Sequence, residues 1–153
     1  MKNKKSKLLS IFTVIAAATI AAFMLTACAA GPYQARFDTL YTRLNVAAGW
    51  NVETIASADL RVYFDGDYVV ATSGFTADHG TYGDVAVFLF ADGNATADAV
   101  AILHAARAYR YDGVTDIHYM DTVIMRSGFI VVYGCEEAVG FVVATLASIM
   151  YAE

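Results

Sequence analysis

Four apolar positions, Phe37, Leu40, Tyr41 and Leu44, recur at helical spacing and predict a helix over about 33–47, with Gly49 near its stop. The period then shortens to two. Leu60–Phe64 and Tyr68–Thr72 are β-prone runs around Asp65-Gly66-Asp67, which predicts a hairpin. A polar, glycine-containing loop over Thr76–Gly83 leads into Asp84–Phe90, apolar at both alternating sets of positions and expected as a strand buried on both faces. Asp92-Gly93-Asn94 reads as a turn. Asn94 or Thr96 is placed to cap a helix running to about Arg110, with Asp98 in its first turn and Ala99, Ile102, Leu103, Ala106 and Tyr109 as its apolar stripe. Thr122–Met125 and Phe129–Tyr133 bracket Arg126-Ser127-Gly128 as a second hairpin. Glu136 and Glu137 open a last helix with Val139, Val142, Val143, Leu146 and Met150 on one side. Hairpins rather than crossovers imply an antiparallel sheet, and striped helices need a sheet face to cover. The expected fold is α+β, a two-layer sandwich. Its antiparallel sheet of about five strands, two hairpins plus a central strand, is covered by two to three helices in the order α-ββ-β-α-ββ-α.

The segment before this domain has a different character. Lys2, Lys4, Lys5 and Lys7 crowd its start, and no charged residue occurs from Leu8 to Leu25. A basic stretch followed by an apolar one is the pattern of an export signal, with the basic end retained in the cytoplasm. The run ends in Leu25-Thr26-Ala27-Cys28. This tetrad resembles the lipobox of bacterial lipoprotein precursors, and all four positions fit. The resemblance implies cleavage between Ala27 and Cys28 and a thioether-linked diacylglyceryl group on Cys28. It divides the chain into a signal peptide over 1–27, a lipidated tether over 28–32 and a single α+β domain over 33–153. Two or three acyl chains, at roughly 0.8 kcal/mol per buried methylene, hold a protein on a membrane essentially permanently. Two other readings of the segment stand beside this one. About 18 apolar residues at roughly 1.5 Å each reach about 27 Å, marginally enough for a permanent transmembrane anchor. A plain secretory signal followed by an incidental Cys is the other. Within the domain, Gly83–Phe88 and Ser127–Val132 resemble small uncharacterised lipoprotein families in which an Asp-Val-Ala-Val-Phe-like strand, a helix and a Gly-turned hairpin recur in this order. That likeness implies no activity.

Removal of the signal changes the charge. All four lysines leave with it, so the mature chain holds six arginines against all fifteen carboxylates, a net side-chain charge of −9 where the whole chain has −5. A surface this acidic repels phosphate backbones, which argues against nucleic acid as a partner. It also argues against adhesion to anionic headgroups through the domain itself, leaving the lipid as the anchor. About 126 mature residues suffice for one domain with its own core. Cys135 is the one thiol remaining once Cys28 is modified, so no intramolecular disulfide is possible; it reads as a buried structural residue or as a reactive or intermolecular thiol.

Candidate chemistry is sparse. Asp92, Asn94, Thr96 and Asp98 place oxygens at alternate positions as a calcium loop does, but Ala97 stands at the sixth place and Leu103 at the twelfth, where Gly and a bidentate Glu are needed. Asp65-Gly66-Asp67 fails likewise, with Thr76 at its twelfth place. His79 beside Asp78, His104, and His118 flanked by Asp116 and Asp121 match no metal signature. None of Ser57, Ser73, Ser127 and Ser148 sits in Gly-x-Ser-x-Gly, and no glycine-rich phosphate loop is present. Gly140, Ala144 and Ser148 form a small-residue ridge on the last helix, suited to core packing or to docking of a protein. Half or more of the ten tyrosines are expected in the core.

The sequence therefore predicts no catalytic, cofactor-binding or metal-ligating residue, and Cys28 as the lipidation site. The expected function is a membrane-anchored, non-enzymatic binding or accessory module in the cell envelope. Its partners are the membrane, through the Cys28 lipid, and another envelope protein. The alternative is an envelope enzyme, a hydrolase using Asp and His residues gathered by the fold.

Overall fold

The computed structural model describes residues 31–64, 66–111 and 122–152, with backbone alone at 63, 64 and 107–111. Residues 33–153 form a compact unit of their own. The elements are α1 (31–46), β1 (Trp50–Thr54), a 3-10 turn (Ser57–Asp59), β2 (Arg61–Phe64), β3 (Asp67–Val70), β4 (Ser73–His79), β5 (Gly83–Leu89), α2 (Gly93–Tyr111), β6 (Thr122–Ser127), β7 (Ile130–Cys135) and α3 (Glu136–Met150). The fold is α+β: a five-stranded antiparallel sheet in the order β1-β4-β5-β7-β6, with helices packed on it and a two-stranded sheet of β2 and β3 beside it. β5 is the central strand, but it is fully buried on one face only, through Val85, Val87 and Leu89, while Asp84 on the other face is exposed and Ala86 and Phe88 are half-buried.

The period-2 alternation divides the sheet into two faces. Val85, Val87 and Leu89 of β5, Phe75 and Ala77 of β4 and Ile130 and Val132 of β7 point to one face. There they meet Phe37, Leu40 and Leu44 of α1 and Ala138, Val139, Val142, Leu146 and Ile149 of α3. Phe37 and Tyr41 both set their rings on Phe75, with centroids 5.2 and 5.4 Å apart. This first core is the helix-on-sheet sandwich expected from the sequence. Met150, expected on the buried side of α3, is instead 41% exposed, and Ile149 takes the inward place.

The opposite face is covered over part of its length. A second core joins Leu60, Val62, Ala71, Phe90, Ala99 and Val131, with Ile55, Val69, Phe88, Ile102, Leu103 and Ile124 around them. The hairpin β2–β3 and helix α2 therefore sit together over Phe88, Val131 and Ile124. The hairpin is an excursion between β1 and β4. Its neck is closed by the Ala71 amide donating to the Leu60 carbonyl at 2.8 Å and the Ile55 amide donating to the Gly74 carbonyl at 3.0 Å.

Two further local expectations are corrected. Thr76–His79, expected within a loop, belongs to β4, because Phe75, Ala77 and His79 alternate with Thr76 and Asp78 and find β1 and β5 on either side. The α2 cap is neither Asn94 nor Thr96. Asp92 accepts from the amides of Asn94 and Ala95, both at 2.9 Å, so the helix starts at Gly93 and Asp98 falls beyond its first turn.

Candidate functional site

The part of the second face nearest the β4–β5 turn is the candidate site. Among the described residues no helix or strand lies over it. Its floor follows from register. Asn51 of β1 pairs with Asp78 of β4, and Asp78 pairs with Asp84 of β5, giving one row across three strands. The next row runs Glu53, Thr76, Ala86, Tyr133. These side chains line a shallow groove of about 480 Å³ whose walls include Gly134. Three carboxylates, Glu53, Asp78 and Asp84, and no cationic side chain are among its lining residues. A sheet face shut with apolar side chains at one end and left polar at the other is built to meet water or a polar partner at the open end.

Asp78 and Asp84 face each other directly across the two strands, an arrangement that is destabilising when both are ionised. The Asp84 carboxyl responds by holding its proton above the ordinary value of 3.8. The hydrogen bond to Asp78 contributes most, then burial, then the Asp78 charge. The folded chain thus keeps this proton where the unfolded chain has lost it. The resulting stabilisation is full below about pH 3.8 and is lost as the pH rises through the raised value, so at neutral pH the pair works against folding. In Asp78→Asn the amide can donate to the Asp84 carboxylate, and the Asp84 pKa is expected to fall toward its ordinary value. Carboxyl-carbon NMR titration reads this directly. The urea midpoint is expected to rise at neutral pH with less change in acid, and an unaltered Asp84 titration would contradict the pairing.

Of the described residues singled out by sequence, Asp78 lies in the groove, while His79 and His104 do not. His79 is next to Asp78 in the chain, and for that reason points to the other face of β4. Its ring stacks on Tyr82 at 4.3 Å and lies 5.1 Å from Trp50, while its Nδ1 accepts from the amides of Thr81 and Tyr82 at 3.2 and 3.4 Å. His104 is exposed on α2. His118, Asp116 and Asp121 lie outside the described residues, as do Asp65 and Cys28. The Asp92 carboxylate is engaged with the α2 amides rather than facing a calcium site. Among the described residues, no three of His, Cys, Asp and Glu are placed to hold a metal ion. Cys135 is a free thiol, half-buried against the first core. Gly140, Ala144 and Ser148 do not pack into the core. They are exposed, and Arg43 donates to Ser148 Oγ at 2.9 Å. Of the six tyrosines whose side chains are described, Tyr33 and Tyr41 are half-buried against the first core, Tyr133 is half-buried, and Tyr68, Tyr82 and Tyr151 are exposed.

Asn51, Glu53, Thr76, Asp84 and Tyr133 were not marked by any motif. The signal available was alternation alone, Trp50 and Val52 inward against Asn51 and Glu53 outward, and Phe75 and Ala77 inward against Thr76 and Asp78 outward. No protein-family model matches the chain, and neither do any curated protein or solved structure.

Proposed function

We propose that the protein is a lipid-anchored domain of the bacterial cell envelope, exported and held on the cell membrane through Cys28. There it acts as a non-enzymatic binding or accessory module for another envelope protein. The lipobox supports the anchoring. The observation that carries the binding role is the half-open sheet face with its acidic groove: β-rich floor, carboxylates in register and no described element above them. A partner suited to it brings cationic or amide donors to Glu53, Asp78 and Asp84. No helix among the described residues is long and apolar enough to cross a membrane, a statement that does not reach the apolar run at Leu8–Leu25.

The test is photo-crosslinking in native membranes from a benzophenone amino acid at Thr76, with the exposed Tyr68 on β3 as control site. A discrete adduct from position 76 is expected, lost when Glu53→Gln, Asp78→Asn and Asp84→Asn are combined. No adduct, or the same adduct from position 68, would overturn the binding role. The second reading, an envelope hydrolase, draws on the Asp78–Asp84 pair, since one protonated and one ionised carboxyl can serve as acid and base. His79, on the far side of β4, is not part of that pair.

A further inference from the structure

We propose that the end of the domain formed by the first turn of α1, the β6–β7 turn and the last turn of α3 rests on the lipid bilayer, so that the acidic groove opens at the end pointing away from it. This rests on the lipoprotein reading of Cys28. Tyr33 is five residues from Cys28, and a fully extended chain spans at most about 3.6 Å per residue, or roughly 18 Å. Whatever part of the domain surrounds Tyr33 is therefore kept at the membrane surface.

That part is unlike the rest of the acidic domain. The Tyr33 ring lies 4.5 Å from that of Phe129, just after the β6–β7 turn. Met150 receives the Ser127 hydroxyl on its sulfur at 3.6 Å, which brings the end of α3 to the same turn. Tyr151 follows, 91% exposed, with Met150 41% exposed and Met125, two residues before Ser127, 46% exposed. Two of the six arginines are here as well. Arg36 sets its guanidinium 5.6 Å over Tyr33, and Arg126 donates to the carbonyls of Gly128 and Gly93. Among the described residues nearby, the Asp92 carboxylate accepts from the α2 amides and that of Asp38 from the Gln34 amide at 2.9 Å. Tyrosine rings with a polar tip, flexible apolar methionines and arginines whose stems can lie along apolar surface are the side chains that bilayer interfaces favour. The Asp78–Asp84 pair stands at the other end of the strands, one position from the β4–β5 turn, about 17 Å along β5 from Leu89.

The experiment uses the full chain, expressed, lipidated and reconstituted into vesicles of phosphatidylethanolamine and phosphatidylglycerol. A spin label is placed by Tyr151→Cys or by Val46→Cys, each with Cys135→Ser. Val46 is 78% exposed and lies just before β1 at the opposite end. Collision with oxygen relative to a water-soluble nickel chelate reads the depth of each label. The expected ratio is several-fold higher at position 151 than at 46. Equal, solvent-like ratios at both positions in a chain that floats with the vesicles would overturn the docking end while leaving the lipid anchor intact. A chain that does not float would overturn both. Should Cys135→Ser not fold, iodination of the unsubstituted chain reads the same contrast. Tyr151 is then expected to be protected on vesicles relative to the soluble Cys28→Ala chain, with Tyr82 unchanged, and equal modification of Tyr151 in the two chains contradicts the proposal. If Tyr151 is buried by a protein partner instead, protection appears in native membranes and not on pure lipid, which also contradicts it.

Discussion

Phe75→Ala is expected to destabilise the domain by about 3–5 kcal/mol, the range for removing a fully buried aromatic ring. Phe75 is 0% exposed and stands in β4, between β1 and β5. Its ring is the point on which α1 closes, since Phe37 and Tyr41, one helical turn apart, both contact it. The loss therefore combines the transfer of a large apolar surface with a cavity that rigid strands on either side cannot fill. It also leaves α1 without its main support. Equilibrium urea unfolding followed by circular dichroism measures the change. A loss under about 1 kcal/mol would place Phe75 outside the core and contradict the packing of α1 on the sheet.

Gly134→Ala is expected to cost at least about 3 kcal/mol, the upper end of the range for overpacking. The reason is not conformational freedom but approach. A Cβ at Gly134 would run into the backbone oxygen of Asp84 and come within 2.7 Å of the Val85 Cα. Backbone atoms in the middle of a sheet cannot step aside as a side chain can, so β5 and β7 would have to part where Val85 and Gly134 pair. Because Asp84 carries the groove's raised carboxyl, the substitution is also expected to alter its titration. Gly128→Ala makes a contrast. Gly128 has φ +59, and a Cβ there would meet the Tyr33 ring, a side chain that can swing outward. Its cost is expected to be smaller in the same unfolding assay. If Gly134→Ala proves as stable as the parent, the β5–β7 register is wrong.

How much of this fold could be read from the chain depended on the strength of local patterning. The helices carry long apolar stripes, and Phe37, Leu40 and Leu44, or Val139, Val142 and Leu146, allow no other face to be buried. The hairpin at Gly128 was legible because two β-branched runs flank a turn. β1 and β4 are not legible as strands because each mixes polar residues into its outward face, and β1 is short besides. Asn51 and Glu53 lower the apolar content of one, and Gly74, Thr76 and Asp78 give the other the composition of a loop. Of these, Asn51, Glu53, Thr76 and Asp78 line the candidate site, so the feature that hides the strands is the feature that makes the face polar. Placement of the first hairpin beside the main sheet depends on long-range packing of Val62 and Val69 against α2, which no local pattern encodes. The Asp78–Asp84 pairing needed the β4–β5 register, and the separation of His79 from Asp78 needed β4 to be a strand at all.

The most direct test of a membrane-tethered module is metabolic labelling with radioactive palmitate of the full chain expressed in bacteria, alongside Cys28→Ala. The expected result is label and membrane fractionation for the parent chain and neither for the variant. Label retained in Cys28→Ala, or absent from the parent, would contradict the lipid anchor and with it the tethering of the domain at the membrane.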